Sequence, residues 1–496
     1  MKIIQVNSTD LAGSRFNGYD MQIELNKRGI PCKQFVLNKE GDDYNTILLT
    51  REIEDTFLRH LCELYEWDIS VRGMVYPYGW RLLKHPEFNN ADVVHYHLLH
   101  NQVLSYAMLD LLTVAKPSIL TIHDPWLFTG HCIHPVECNK WESENCNNCP
   151  HISRIFPMKE DNANYMWNLK KSIFSRIDLD IVVSSKWMLD FVKRSPITTN
   201  IERVHVIPFG ISTELFNCHG KDKIEIRKKL GIPIDDIVLF FRSDSGPFKG
   251  VPYINEMLSL LNTVHPITLL TVGEKGLINK GKYSQVENGW VNDNNKIADL
   301  YAASDIFLMP SLGESFGLMA IEAMSSGLPV VVTRGTALPD ITFAPECGVL
   351  IDRDNALEFA SVVKRLIECP DERIRRGELG RMYALEHYKI EDHYNRMLEL
   401  YKNVASREPL PVFEKNDTDF ALDREIKHFQ RFSLLLYELS EKYCELIDKV
   451  PFRVSCKRRF FHSAKKVSEI LGVKNIIKNS SLFQTLKNKG TLDKFY

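Results

Sequence analysis

The sequence predicts an α/β protein with two doubly wound halves and a helical C-terminal extension. Short apolar runs, typical of buried strands, alternate with amphipathic stretches over the first two hundred residues. The pattern is interrupted near 205–236, where Pro208, Gly210 and a charged stretch lie, and then restarts. After about residue 405 the sequence changes to a long helical repeat. We therefore expect domains over 1–205 and 206–405 and an extension over 406–496.

Both halves show the same order of predicted elements. Because helical stretches separate the apolar runs, the strands are expected to be parallel. In the first half these stretches lie at 19–28 and 102–115. The expected strands are 2–6, 93–97, 118–122 and 180–183 in the first half, and 237–241, 267–272, 305–309 and 329–333 in the second.

The extension divides into an amphipathic segment and a basic segment. From Leu422 to Val450, apolar residues recur every three or four positions, which predicts one stripe that pairs with another helix or with the protein's own domains. Residues 451–496 contain 11 Lys or Arg and 2 Asp or Glu, an excess of nine positive charges. They are mixed with Phe, Ile and Leu, which suits either an anionic membrane surface or a solvated basic helix pair.

Composition excludes several classes of protein. The 496 residues include 62 basic and 64 acidic side chains, so the net charge of -2 argues against a globally basic nucleic-acid coat. No nucleic-acid recognition motif is present, and no run of 18 apolar residues predicts a membrane-spanning helix. The first residues, MKIIQVNSTD, indicate a strand and not a signal peptide, so a cytoplasmic location with reduced cysteines is expected.

The segment 310–333, PSLGESFGLMAIEAMSSGLPVVVT, contains two spaced carboxylates. A helix is expected from Ser315 to Gly327, directly after the strand DIFLM. In open α/β sheets, ligands bind at the carboxyl ends of the strands, which is where Glu314 would lie. The amides of Ser315, Phe316, Gly317 and Leu318 would suit a phosphate or a sugar hydroxyl. On general grounds, Glu314 could equally favour the helix dipole and Glu322 could be a surface charge.

This segment resembles the Glu-x7-Glu signature of retaining glycosyltransferases of the family 4, or group 1, type. The resemblance implies a GT-B fold, in which two Rossmann-like domains face a cleft. It assigns Glu314 and the amides after it to the donor sugar, and Glu322 to the ribose hydroxyls of the nucleotide. It extends over about 1–405, with a closing helix at 388–404 and a linker at 206–216 that has Phe209 in place of the usual Asn.

Two cations lie in a turn after a predicted strand, in FFRSDSGPFKG at 240–250. Arg242 and Lys249 could be ordinary surface cations. The family has an Arg and a Lys here that hold the pyrophosphate, and they would stabilise the charge of a departing diphosphate. No catalytic metal is therefore expected. Phe241 replaces the Gly that usually precedes the Arg.

Further residues match the family at lower specificity. In VENGWVNDNNKIADLYA, Val291 or Trp290 would lie against the nucleotide base, although a buried core Trp is the alternative. The stretch STDLAGSRFNG contains Gly13 and Arg15 where the family often has two glycines near the donor phosphates. Arg15 could also simply be solvated at the start of a helix.

One histidine follows the strand SILTI. His123 precedes Asp124, at a place where the family has a His-Asp pair whose imidazole faces the donor sugar. Its position at the carboxyl end of a strand favours a functional role. His95 and His97 alternate on another strand and are interpreted mainly as structural residues.

Four of the 11 cysteines fall within 123–150, at the spacing Cys-x5-Cys-x7-Cys-x2-Cys. Thiolate sets of this kind bind structural zinc, so Cys132, Cys138, Cys146 and Cys149 are candidate ligands. Reduced thiols or two disulfides remain alternatives. The string from His-Asp-x-Trp to Cys-Pro resembles a bacterial subgroup that builds surface polysaccharides, with the Cys-rich insert at 131–150.

The resemblance implies transfer of a sugar from a nucleoside-diphosphate sugar to a glycan or a lipid-linked acceptor, with retention of the anomeric configuration. Because many acceptors in the family are membrane lipids, the basic tail 451–496 is a candidate anchor at the inner membrane face. A nucleotide-sugar epimerase or a phosphorylase on the same fold, and a non-catalytic scaffold of glycan assembly, are the alternative functions.

Overall fold

Parallel sheets organise both halves of the chain in the computed structural model, which describes residues 1–407 and 420–448. The chain forms two compact units. The first unit comprises Met1–Val182, Val192–Val204 and the described residues from Leu400 onward. The second comprises Val183–Phe191 and His205–Glu399.

The first sheet contains seven strands within the described residues, in the order β3-β2-β1-β4-β5-β6-β7. This order reverses direction between β1 and β4, as in doubly wound nucleotide-binding folds. Ile3, Val6, Val93 and Val94 are buried because helices cover both faces of the sheet. The strands are β1 Ile3–Thr9, β2 Cys32–Asn38, β3 Thr46–Leu48, β4 Val93–His97, β5 Ser118–Ile122, β6 Asp180–Val183 and β7 Val204–Val206.

Helices connect these strands. The connection between β1 and β2 is a single helix whose first turn begins after Gly18, at a positive φ of 91°. The helices are α1 Tyr19–Lys27, α2 Glu52–Asp68, α3 Tyr78–Leu83, α4 Pro86–Asn89, α5 Leu109–Ala115, α6 Lys140–Ser143, α7 Ala163–Phe174 and α8 Lys186–Arg194, with 3-10 turns at Tyr106–Met108 and Pro125–Phe128.

The second sheet repeats the same winding with six strands in the part of the chain that the structure describes. Its order is β10-β9-β8-β11-β12-β13, so the reversal lies between β8 and β11. Leu239, Leu269, Leu308 and Val331 lie in its core. The strands are β8 Ile237–Ser243, β9 Ile267–Gly273, β10 Ser284–Glu287, β11 Ile306–Met309, β12 Val330–Thr333 and β13 Val349–Ile351.

The helices of the second unit lie before, between and after these strands. The last of them, α16, begins in the second unit and ends in the first. They are α9 Lys223–Leu230, α10 Val251–Leu260, α11 Asn294–Ala303, α12 Leu318–Ser325, α13 Leu338–Ile341, α14 Ala356–Glu368, α15 Pro370–His387 and α16 Ile390–Ala405, with a 3-10 turn at Cys218–Gly220.

The predicted fold class is confirmed, and every predicted strand forms within two or three residues of its expected bounds. Sequence reasoning missed five strands, β2, β3, β7, β10 and β13. Four of them are short or at an edge, and β2 has Gln34 buried in its middle, so none forms a long apolar run. The helix expected over 102–115 is shorter, because α5 begins at Leu109 after a 3-10 turn.

The amphipathic segment of the extension forms one long helix, α17, over Phe420–Asp448. Its stripe packs on the first unit: Ile426, Phe429 and Leu436 are buried, and Trp80 Nε1 donates a hydrogen bond to Ser433 Oγ at 3.0 Å. The domain-packing alternative is therefore the one observed. The basic tail 451–496 lies outside the described residues. Within the described residues no helix is long and apolar enough to cross a membrane.

Candidate active site

The carboxyl ends of β8 and β11 are neighbours at the point where the second sheet reverses its order. Arg242 lies at the end of β8, and Lys249 follows in the next turn. Glu314 follows β11. The general rule for open α/β sheets places ligands at this edge. The sheet topology thus gathers three of the charged candidates in one region of the second unit.

Lys249 and Glu314 are in contact. Lys249 Nζ lies 3.2 Å from Glu314 Oε2, and the two side chains are 29% and 18% exposed. Gly250 permits this approach, because a Cβ on it would lie 2.1 Å from the carbonyl oxygen of Pro310. The two loops that carry the ion pair can therefore lie directly against each other.

Arg242 is held by a carboxylate and by an aromatic ring. Its guanidinium forms an ion pair with Asp244 and lies 4.9 Å from the ring centroid of Trp290. Asp244 Oδ1 also accepts a hydrogen bond from the Gly246 amide at 2.8 Å, which closes the turn after β8. Trp290 is 61% exposed, so it is not a core residue. Sequence reasoning did not single out Asp244.

The segment between Glu314 and α12 is a loop, so the expected helix start at Ser315 is wrong. Gly317 has a φ of 103°, and α12 begins only at Leu318, because a left-handed residue cannot continue a right-handed helix. The side-chain oxygen of Ser315 is buried with no hydrogen-bond partner within the described residues. The ring of Phe316 packs against Phe209 and Tyr388.

Glu322 is buried on α12, which excludes the surface-charge alternative. The hydroxyl of Tyr301 lies 2.9 Å from Glu322 Oε2. Tyr301 lies on α11, and its separation of 21 residues from Glu322 explains why no local pattern revealed the pair. Val291 is half-buried in the loop between β10 and α11, next to Trp290.

The loop after β1 in the first unit is closed by a side-chain amide. Asn17 Nδ2 donates to the carbonyl oxygens of Thr9, Asp10 and Ala12 at 2.7–2.9 Å. Gly13 has a φ of 74° in this loop, and Arg15 follows it. Burial raises the pKa of Asp20, and Ser14 and Arg15 partly offset that effect. Sequence reasoning missed Asn17.

His123 follows β5 and lies between two rings. Its ring centroid is 5.5 Å from that of Phe16 and 5.4 Å from that of His97. His97 Nδ1 lies 3.1 Å from His123 Nε2, so the two imidazoles share a hydrogen bond. Burial lowers the pKa of His123 to about 3, which keeps the ring neutral near pH 7.

A contact between a histidine and a carboxylate adjoins His123. His100 Nε2 lies 3.4 Å from Asp124 Oδ2, and the His100 ring stacks on Trp126. Burial lowers the pKa of His100 to about 3 and raises that of Asp124 to about 6. Sequence reasoning did not identify His100, which lies in irregular backbone after β4.

The four cysteines line one small cavity, but they do not form the tetrahedral group that their spacing predicts. Nowhere in residues 1–407 or 420–448 do three His, Cys, Asp or Glu side chains meet at metal-ligand spacing. Cys146 Sγ instead accepts from the Gly130 amide at 3.2 Å. Cys132 and Cys149 share a hydrogen bond that lowers the pKa of Cys149 to about 7 and raises that of Cys132. The zinc prediction is therefore not supported by the part of the chain that the structure describes.

The second unit contains a segment that matches a known protein family. Residues 222–382 match the sequence model of the family described as glycosyl transferases group 1. This segment therefore resembles the domains of group 1 glycosyltransferases. It contains β8 to β13, Arg242, Lys249, Glu314 and Glu322.

Curated proteins similar to this chain match a longer stretch of it. An MMP alpha-(1->4)-mannosyltransferase of Mycolicibacterium hassiacum is 26% identical over 64% of this chain and 71% of its own length. A D-inositol 3-phosphate glycosyltransferase of Corynebacterium jeikeium is 25% identical over 59% of this chain and 68% of its own length.

Solved structures share the fold of this chain. Anabaena HepE in complex with UDP and glucose has a TM-score of 0.58 at 15% identity and covers 81% of this chain and 100% of its own. WaaG, a glycosyltransferase involved in lipopolysaccharide biosynthesis, has a TM-score of 0.56 at 16% identity and covers 80% and 99%. A Rickettsia africae glycosyltransferase has a TM-score of 0.57 at 16% identity and covers 82% and 99%. The fold is GT-B.

Proposed function

We propose that this protein is a retaining glycosyltransferase that transfers a hexose from a nucleoside-diphosphate sugar to a glycan or lipid-linked acceptor. The observation that carries the proposal is the contact between Lys249 and Glu314, at 3.2 Å, at the reversal point of the second sheet. The match of 222–382 to group 1 glycosyltransferases supports the same reaction class.

The donor would bind along the carboxyl edge of the second sheet. Arg242 and Lys249 would pair with the two phosphates, and the ion pair with Asp244 would hold the guanidinium of Arg242 in position. Glu322, oriented by Tyr301, would accept hydrogen bonds from the ribose hydroxyls. Trp290 and Val291 would lie against the base, and the exposed face of Trp290 suits that contact.

The sugar would be held by Glu314 and the backbone after it. Gly317 removes a side chain from this position, so the amides that begin α12 can approach a ligand closely. In the first unit, Gly13 and Arg15 are proposed to lie near the donor phosphates, and the neutral His123 is proposed to contact the sugar.

The reaction breaks the bond between the anomeric carbon and the diphosphate and forms a bond to the acceptor oxygen. Negative charge grows on the departing diphosphate, and Arg242 and Lys249 would stabilise it there. The acceptor hydroxyl proton would pass to the leaving phosphate oxygen as attack occurs on the same face. That course retains the anomeric configuration.

The cellular role proposed is cell-surface polysaccharide biosynthesis at the cytoplasmic membrane face. HepE and WaaG share the fold but not enough sequence to support a role. The proposal therefore depends on the Cys-rich segment after His123 and on the basic composition of 451–496.

A screen of nucleoside-diphosphate sugars tests the enzyme function directly. Purified protein is incubated with each donor, and release of the nucleoside diphosphate and the shift in melting temperature are measured. We expect one donor to raise the melting temperature and to be turned over. Arg242→Ala and Lys249→Ala are the matched variants. If no donor produces a shift or turnover, the proposal is wrong.

A further inference from the structure

Six polar side chains form a continuous hydrogen-bonded chain inside the first unit. His123 Nε2 lies 3.1 Å from His97 Nδ1, and His97 Nε2 lies 2.9 Å from Gln5 Oε1. Gln5 Nε2 donates to the hydroxyl of Tyr401 at 2.9 Å. That hydroxyl lies 2.8 Å from His95 Nδ1, and His95 Nε2 lies 2.6 Å from Thr121 Oγ1. The members of this relay are His123, His97, Gln5, Tyr401, His95 and Thr121.

The direction of each hydrogen bond in the relay follows from the amide of Gln5. Because Gln5 Nε2 donates to Tyr401, its Oε1 must accept the proton on His97 Nε2. A neutral His97 then has its lone pair on Nδ1, which accepts the proton on His123 Nε2. The hydroxyl of Tyr401, already an acceptor, donates to His95 Nδ1.

The packing around the relay restricts rearrangement of its hydrogen bonds. Gln5, His95, His97 and Tyr401 are buried, so water does not readily replace a lost partner. A Cβ at Gly18 would lie 2.7 Å from Gln5 Oε1 and 2.9 Å from His97 Nε2. The backbone at Gly18 therefore lies directly against the hydrogen bond between Gln5 and His97.

Tyr401 comes from a distant part of the sequence. It lies on α16, the closing helix, 396 residues from Gln5 and 306 residues from His95. Its ring could fill the same space as a Phe ring, so the hydroxyl is the feature that core packing does not explain. We propose that Tyr401 is a positioning residue that sets, through Gln5 and His97, which ring nitrogen of His123 carries the proton.

This inference rests on the proposed function for its catalytic consequence. With the proton on Nε2, the neutral ring of His123 has its lone pair on Nδ1 and can accept a hydrogen bond from a sugar hydroxyl there. The other tautomer would present an N–H at Nδ1, which can donate to the hydroxyl oxygen but cannot accept the hydroxyl proton. Loss of the relay would thus lower kcat more than it changes the KM for the donor.

The tautomer can be measured without any substrate. Full-length protein with 15N-labelled histidine is studied by long-range 1H–15N correlation, and the His123 signals are assigned by their absence in His123→Gln. We expect a protonated Nε2 and an unprotonated Nδ1 in the wild type. In Tyr401→Phe we expect a mixture of both tautomers.

Two further variants separate the relay from a merely structural role. Gln5→Met breaks the relay at another link and should produce the same tautomer mixture as Tyr401→Phe. Tyr96 lies between His95 and His97 on β4 and is equally buried. Tyr96→Phe removes its hydroxyl and should leave the tautomer of His123 unchanged. Kinetically, Tyr401→Phe should lower kcat at least about fivefold with the donor KM within about twofold. The double variant Tyr401→Phe/Gln5→Met should lower kcat by no more than either single variant does.

Each result decides the inference. An unchanged His123 tautomer in Tyr401→Phe and Gln5→Met overturns it, whatever the kinetics. A changed tautomer with unchanged kcat retains the relay but overturns the positioning role. If no nucleotide sugar is turned over by the wild type, the proposed function fails while the tautomer measurement still tests the relay. If Tyr401→Phe does not fold, Gln5→Met provides both measurements, the tautomer of His123 and kcat.

Discussion

The hydroxyl of Tyr301 lies 2.9 Å from Oε2 of Glu322, and both side chains are buried. A buried carboxylate needs such a partner, because desolvation without a hydrogen bond is costly. The pair joins α11 to α12 and fixes the direction in which the Glu322 carboxylate points. The proposed ribose contact therefore depends on a residue outside the Glu-x7-Glu signature.

We expect Tyr301→Phe to weaken binding of the nucleoside diphosphate about five- to tenfold, which corresponds to about 1 kcal/mol for one lost hydrogen bond. Glu322→Ala should also weaken nucleotide binding, with a smaller effect on turnover at saturating donor. Isothermal titration calorimetry measures both. Tyr283→Phe removes another buried hydroxyl, which donates to Leu261, and serves as the control. Unchanged nucleotide affinity in both site variants would contradict the ribose assignment.

Lys249→Ala should lower turnover at least tenfold, since it would remove the proposed charge-assisted contact to the leaving diphosphate, which would be worth more than about 1.4 kcal/mol. Steady-state rates with the donor found in the screen give the measurement. Lys364, which pairs with Glu368 on the surface of α14, is the matched control for loss of a lysine. Wild-type turnover in Lys249→Ala would exclude this residue from the proposed site.

Gly317→Ala should destabilise the protein by about 1–3 kcal/mol, because φ is 103° and the new Cβ would lie 2.5 Å from Leu338 Cδ2. Gly327 has a φ of 76° with no atom within 4 Å of its Cβ position, so Gly327→Ala measures the backbone strain alone. Denaturant unfolding measures the loss in the free energy of unfolding for each variant. Equal losses would show that the contact with Leu338 relaxes freely.

Stability should fall as the pH is lowered from about 6.5 towards 4. Burial lowers the pKa of His393 to about 4, although its hydrogen bond to the Pro208 carbonyl opposes that shift. In this window the unfolded chain binds a proton that the folded chain does not, so stability present above pH 6.5 is lost as the pH falls. His393→Gln, which can still donate to Pro208, should flatten the dependence of melting temperature on pH between 6.5 and 4.5. Parallel curves for the two proteins would contradict the lowered pKa.

Full-length protein should sediment with anionic vesicles at low salt and be released at high salt, because each basic residue near the surface contributes about 1 kcal/mol and salt screens it. A chain that ends at residue 450 retains α17 but lacks the basic tail, so it should stay in the supernatant. Equal sedimentation of the two chains would rule out the tail as an anchor.

Local sequence determined much of the fold and part of the candidate site. Apolar runs such as 93–97, 118–122 and 180–183 predicted the bounds of β4, β5 and β6 without error, because a strand buried on both faces needs a continuous apolar run. The position of Glu314 after β11 and of Arg242 at the end of β8 followed from the same runs. The resemblance to family 4 enzymes supplied the proposed roles.

Tertiary structure alone decided which side chains meet. Lys249 and Glu314 are 65 residues apart, and they touch because β8 and β11 become neighbours where the sheet reverses. His97, interpreted from sequence as structural, contacts His123 because β4 and β5 pair side by side in the first sheet. The spacing of the cysteines predicted a ligand set that their side chains do not form. Local periodicity in the sequence determines the helices and strands. Contacts between the ends of these elements depend on which strands lie next to each other in the sheet.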